Sequence, residues 1–231
     1  MLDLRRLVLE DWRIRIADMR GRGPYSGYPN KYRCVFIQIP KTASSGIGRI
    51  LFDAPVSHKT YAPYLRANPN KFRSYFKFAI VRNPWDRLVS GFFFLKGGGM
   101  TAADAEWASK NLNDYGTFKE FVHGWVNEEN IRSWVHFLPQ VDFITDQSGR
   151  IAVDFLGRFE RLEENFDIIK EALSISASLT VSNSSVHDIY NSYYDRETID
   201  IVRRVYADDI RILKYDFDGP VSPLPLREDA E

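Results

Sequence analysis

Two stretches of this chain share one local grammar, and together they restrict the fold more than any other feature. Val35–Ile39 and Phe76–Val81 are short apolar and aromatic runs, each followed by a helical pattern. After the first run, Ile47, Ile50 and Leu51 fall at i, i+3 and i+4, one face of a helix. After the second, Asn83 suits a helix N-cap and Pro84 its first turn, and Leu88, Val89, Phe92 and Leu95 supply the apolar face. Strand, tight turn, helix, repeated, predicts an α/β fold with a parallel sheet. Ligands of such sheets bind outside the C-terminal ends of the strands.

The rest of the chain is read more coarsely. The run Lys96 to Met100, with three glycines, stops the second helix. Thr101 to Phe137 reads as largely helical, and Phe143 to Ile151 as two short strands around a turn. Leu162, Phe166, Ile169 and Leu173 make another helical stripe, and a last helix is expected from Glu197 to Asp209. At 231 residues, the chain is expected to form one domain over 1–231, with 1–30 as an N-terminal extension and 218–231 as a fraying tail. The single cysteine, Cys34, excludes an intramolecular disulfide and a cysteine-based zinc cluster, and reads as a small buried hydrophobe. No apolar run reaches the roughly 18 residues of a membrane span, and the N-terminus lacks a signal-peptide core. A soluble, cytoplasmic protein is expected.

Formal net charge is zero, which argues against wholesale binding to nucleic acid or to a membrane surface. The distribution is uneven: Lys31 to Arg87 holds eleven basic residues against Asp53 and Asp86, so the N-terminal part suits a compact, highly charged anion. Within it, Ile39-Pro40-Lys41-Thr42-Ala43-Ser44-Ser45-Gly46 follows the first strand. Backbone N–H groups at such a turn, the helix dipole, the Lys41 charge and the hydroxyls of Thr42, Ser44 and Ser45 fit an anion, while Gly46 allows close helix packing. The glycines that precede the lysine of a nucleotide P-loop are missing. Arg82, where the second strand ends, and Ser90, two turns into the next helix, suit a separate phosphate. A local role for Ser90 beside Asp86, its i,i+4 neighbour, is the alternative. No metal-ligand spacing is present, and Glu160, Glu163 and Glu164 read as a charged helix start.

The first loop together with Phe76 to Leu95, "FKFAIVRNPWDRLVSGFFFL", resembles the two cofactor signatures of sulfotransferases that use 3'-phosphoadenosine 5'-phosphosulfate (PAPS). The resemblance is to the carbohydrate-type branch, the Golgi enzymes and their bacterial relatives, and later segments extend it over Arg33 to Phe217. It implies a P-loop-like three-layer sandwich with a central parallel sheet flanked by helices. It further implies that Lys41, Thr42, Ala43, Ser44, Ser45 and Gly46 hold the 5'-phosphosulfate, and that Arg82 and Ser90 hold the 3'-phosphate. Ser184, Ser185 and His187 are implied to lie near the nucleotide. Sulfuryl transfer needs a base for the acceptor hydroxyl. A histidine between the two signatures serves in the family, which selects His58 over His123, His136 and His187. Lys41 then stabilises the leaving phosphate.

The expected activity is transfer to a hydroxyl of a carbohydrate or a small glycosylated or hydroxylated metabolite, without a metal. Two alternatives stand beside it: a non-catalytic module that binds PAPS or its product PAP, and a P-loop-type small-molecule kinase. The Golgi members carry a membrane anchor, a stem and disulfides that this sequence does not show. That departure points away from a Golgi location and from polymeric glycans.

Overall fold

The computed structural model describes residues 4–55, 57–146, 148–179 and 188–224, with side chains from residue 10 onward. Among the described residues the sheet has three parallel strands in the order β1 (Cys34–Ile37), β2 (Phe76–Val81) and β3 (Phe155–Arg158). Cys34 pairs with Phe76 and Ile37 with Ala79, while Phe78 pairs with Phe155 and Val81 with Arg158. The helices are α1 (Leu4–Met19), α2 (Tyr28–Tyr32), α3 (Ser44–Phe52), α4 (Ala62–Ala67), α5 (Pro69–Ser74) and α6 (Pro84–Lys96). They continue with α7 (Ala102–Asn111), α8 (Phe118–Gly124), α9 (Val141–Ile144), α10 (Leu162–Ala172), α11 (Arg196–Val205) and α12 (Ala207–Leu213).

Strand alternation builds the layers. Cys34, Phe36, Phe78 and Ile80 face one side, where Ile47 and Leu51 of α3 and Phe166 and Ile169 of α10 cover them. Val35, Ile37, Ala79 and Val81 face the other side, against Tyr64 of α4, Phe72 of α5, Val141 of α9 and Leu213 of α12. A sheet buried on both faces reads as continuous apolar runs, which is why β1 and β2 are conspicuous in the sequence. The three-layer α/β architecture is as expected. Cys34 is fully buried, and burial pushes its thiol up to about 12. No helix among the described residues is long and apolar enough to cross a membrane.

Several expectations are revised. β1 ends at Ile37 rather than Ile39, because the carbonyls of Gln38 and Ile39 are taken by loop partners described below. β3 gives no continuous apolar run in the sequence because Gly157 interrupts it, yet a Cβ there would lie 2.6 Å from Ile80 Cδ1. Instead of two strands around a turn, Val141–Ile144 is helical, and the antiparallel pairing of this segment is the Thr145–Ile151 bridge. The Asp209 carboxylate sets that turn by accepting from the N–H groups of Gln140 and Val141, both at 2.9 Å. The expected last helix is two, α11 and α12, broken at Tyr206, whose hydroxyl donates to Phe137 O at 2.7 Å. Beyond Gly219, Val221 N–H donates to Lys214 O and Arg158 to Ser222 O.

Candidate active site

The loop between β1 and α3 is unusual in backbone. Lys41 (φ 68°) and Ala43 (φ 61°) are both left-handed, a conformation that costs a non-glycine residue about 1–2 kcal/mol. Two buried hydroxyls fix it: Thr42 Oγ1 and Ser44 Oγ donate to Ile39 O at 2.9 and 2.6 Å. These hydroxyl protons are therefore engaged inward. What the loop offers outward is main-chain N–H, the N-terminus of α3 and the Lys41 ammonium. Gly46 is a correction: a Cβ there would meet nothing within 4 Å, so close packing does not require that glycine. The close approach is at Gly48, where a Cβ would sit 2.9 Å from Gln38 Nε2.

Lys41 Nζ lies 4.0 Å from the centroid of the Phe94 ring and forms no ion pair among the described residues. Burial, reinforced by the Arg82 charge, lowers its pKa from 10.5 to about 8, with Asp104 opposing. A half-buried ammonium with no counter-charge within ion-pair reach is a place where an anion fits. Arg82 joins the second signature to this loop: its Nη1 donates to Lys41 O at 3.1 Å. Its Nε and Nη2 grip the two oxygens of Asp86 at 2.7 and 2.8 Å, and the guanidinium lies over Phe159. Ser90 is buried on α6. Asn83 caps α6 by accepting from Trp85 N–H, and Pro84 takes the first turn, as the sequence predicts.

His58 follows α3 on a loop held by one residue. Gln38 accepts the Ser57 N–H on its side-chain oxygen at 3.0 Å, and its carbonyl meets His58 Nδ1 at 2.8 Å. A carbonyl only accepts, so Nδ1 carries the proton and the lone pair is left on Nε2, the form a general base needs. Burial lowers the His58 pKa from its ordinary value, and Lys41 and Arg87 add to this against Gln38 O and Asp104. His136 meets His58 edge to face, with ring centroids 5.7 Å apart.

A model of the sulfotransferase family matches residues 28–216. The chain belongs to that family. It is similar to carbohydrate sulfotransferase 14 of Danio rerio, with 26% identity over 172 residues, 62% of this chain and 46% of that protein. It is also similar to sulfotransferase 2A1 of Mus musculus, with 33% identity over 121 residues, 40% of this chain and 41% of that protein. An uncharacterized protein of Archaeoglobus fulgidus is 27% identical over 128 residues, 54% of this chain and 90% of its own length. The chain thus spans less than half the length of the first two relatives. No solved structure matches it.

In this member of the family, Lys41, Thr42, Ala43, Ser44, Ser45, Arg82 and His58 gather where β1 and β2 end. Ser184, Ser185 and His187 lie outside the described residues. The positive surplus of the N-terminal part is only partly available to a ligand. Lys77 is buried against Asp154 at 2.7 Å, Lys71 pairs with Asp18 and Arg66 with Asp11. Arg87 is fully buried and spans Pro40 O, His136 O and Leu138 O, tying the first loop to the segment before α9. Glu160 lies in the short 3-10 turn Phe159–Arg161 that leads into α10, and there it accepts from Asn83 N–H at 2.7 Å and Tyr215 OH at 2.8 Å. Glu163 and Glu164 do fill the first turn of α10.

Sequence reasoning missed three site residues. No sequence motif singles out Gln38 or Gln140, yet Gln140 clamps Arg82 through both backbone groups, at 2.9 and 2.8 Å. The resemblance selects His58 over His136 and His123. His123 is indeed exposed near Glu197, but His136 is buried beside His58. Among the described residues, no group of three His, Cys, Asp or Glu side chains is arranged to hold a metal.

Proposed function

We propose that this protein transfers a sulfuryl group from PAPS to a hydroxyl of a carbohydrate or a small hydroxylated metabolite. The contact of Arg82 Nη1 with Lys41 O carries the reading, because it puts the two signatures at one sheet edge, as a nucleotide phosphorylated at both ends requires. Family membership and the likeness to carbohydrate sulfotransferase 14 support it. PAPS supplies the sulfuryl group, with adenosine 3',5'-bisphosphate as its leaving group.

The N–H groups of the 41–46 loop, with Ser45, would hold the 5' end. Arg82 has five N–H donors, three of them engaged with Asp86 and Lys41 O, and the others would meet the 3'-phosphate together with Ser90. Lys41 would balance charge growing on the leaving oxygen, an interaction worth more in the transition state than in the ground state. His58 Nε2 would take the proton of the attacking hydroxyl.

Calorimetry tests the two-ended site. Adenosine 3',5'-bisphosphate should bind at least about tenfold more tightly than ATP, a gap of about 1.4 kcal/mol, and Arg82→Met should erase the difference. Equal or stronger binding of ATP to the wild type would overturn the assignment of Arg82 and Ser90 and favour a kinase.

A further inference from the structure

Behind His58 stands a buried pair that the reaction as described leaves unused. His136 Nε2 lies 3.2 Å from Asp104 Oδ1, and both side chains are almost wholly buried. The other carboxylate oxygen, Oδ2, accepts from Met100 N–H, Thr101 N–H and Thr101 Oγ1, so Asp104 is fixed as the N3 partner of the Thr101 N-cap in the capping box of α7. A carboxylate on Nε2 places the His136 proton there and leaves Nδ1 a lone pair; that Nδ1 is buried without a partner. Phe94 packs on the same imidazole at 4.9 Å and also carries the Lys41 ammonium.

We propose that Asp104 and His136 are positioning residues for His58: the carboxylate orients a second neutral imidazole against the base and offsets the positive charge His58 gains during the reaction. The inference rests on the proposed sulfuryl transfer. In that step the acceptor oxygen forms its bond to sulfur, the bond from sulfur to the bridging phosphate oxygen breaks, and the hydroxyl proton moves to His58 Nε2. The groups that face His58 are Gln38 O at the end of β1, Lys41 from the first loop, Arg87 from α6, Asp104 from α7, and His136. Asp104 is the one carboxylate in that set. Lys41 and Arg87 both oppose an imidazolium, so the Asp104 charge is what favours it alongside Gln38 O.

Asp104→Asn separates charge from shape. The asparagine oxygen can keep the cap, while its amide N–H₂ faces His136 and drives that ring's proton to Nδ1. Nitrogen-15 NMR of the full chain labelled at histidine reads both effects. We expect His136 to change tautomer and His58 to titrate about half a pH unit lower, or more. The acidic limb of kcat/KM should move down by the same amount, and kcat should fall about tenfold with nucleotide affinity held within about twofold.

Asp104→Glu should restore the limb. Thr101→Ala, which weakens the cap and keeps the charge, should lower Tm without moving His58. An unshifted His58 in Asp104→Asn overturns the inference, as does an equal shift in Thr101→Ala. If Asp104→Asn does not fold, His136→Gln serves instead, and an unmoved acidic limb there is the contradicting result. Full sulfuryl transfer by His58→Ala would refute the assigned base itself, whatever the NMR shows.

Discussion

Lys41 titrates inside an experimentally convenient range, and that makes nucleotide binding depend on pH. In the free protein its pKa is lowered to about 8, because burial and Arg82 disfavour the ammonium. A bound 5'-phosphate supplies the missing counter-charge and returns the group toward its ordinary value of 10.5. The free-state pKa then lies below the bound-state pKa, so binding takes up a proton between the two. Affinity is complete below about pH 8 and declines as pH rises above it. At about pH 9.5 a group with that pKa is charged in roughly 3% of molecules, against roughly nine-tenths at pH 7. The expected loss is about 30-fold in Kd for adenosine 3',5'-bisphosphate, or about 2 kcal/mol. The ligand does not confound the measurement, since the second ionisation of a phosphate monoester, near pH 6, is complete in this window. Calorimetry in buffers of different ionisation enthalpy reads affinity and proton uptake together. Lys41→Arg keeps a permanent charge and should give a flat profile over the same range. A wild-type Kd that changes less than about threefold, or an arginine variant that falls equally, would refute the reasoning.

Three further outcomes follow from the same structure. Gly48→Ala brings a Cβ to 2.9 Å from Gln38 Nε2, so it should displace the side-chain amide that accepts Ser57 N–H and with it the loop that carries His58. Transfer should fall more than nucleotide affinity, with stability lower by about 1–3 kcal/mol in urea unfolding. Glu160→Ala strands Asn83 N–H and the Tyr215 hydroxyl, at a cost of about 2–4 kcal/mol in the same assay. Burial holds His136 near 4, below its ordinary 6.5, so the native state binds fewer protons than the unfolded chain between those values. Stability should therefore be full above about pH 6.5 and fall toward pH 4 by at most roughly 3 kcal/mol, and His136→Gln should flatten that decline in a Tm series.

The parts of the site that the sequence displays are those whose chemistry is local. Lys41, Arg82, the Asn83–Pro84 start of α6 and the apolar strands depend on neighbours a few residues away, and short patterns report them. His136, Gln38 and Gln140 act through groups far along the chain. Gln140 reaches Arg82 across 58 positions and His136 reaches Asp104 across 32, and no spacing rule describes such pairs. The same holds for β3, whose Gly157 is explained by Ile80 and Asn165 and looks like a turn residue when read alone. Charge counting misleads for a related reason: Lys77 and Arg87 look like ligand cations in sequence and are buried struts in the fold.

Sulfuryl transfer itself is tested by incubating the full chain with sulfur-labelled PAPS and a panel of sugars and small hydroxylated metabolites, with products identified by mass. A sulfated product is expected with at least one acceptor, and a loss of at least about a hundredfold in rate for His58→Ala with nucleotide affinity retained. Tight binding of adenosine 3',5'-bisphosphate with no product from any acceptor, or an undiminished rate in His58→Ala, would contradict that expectation.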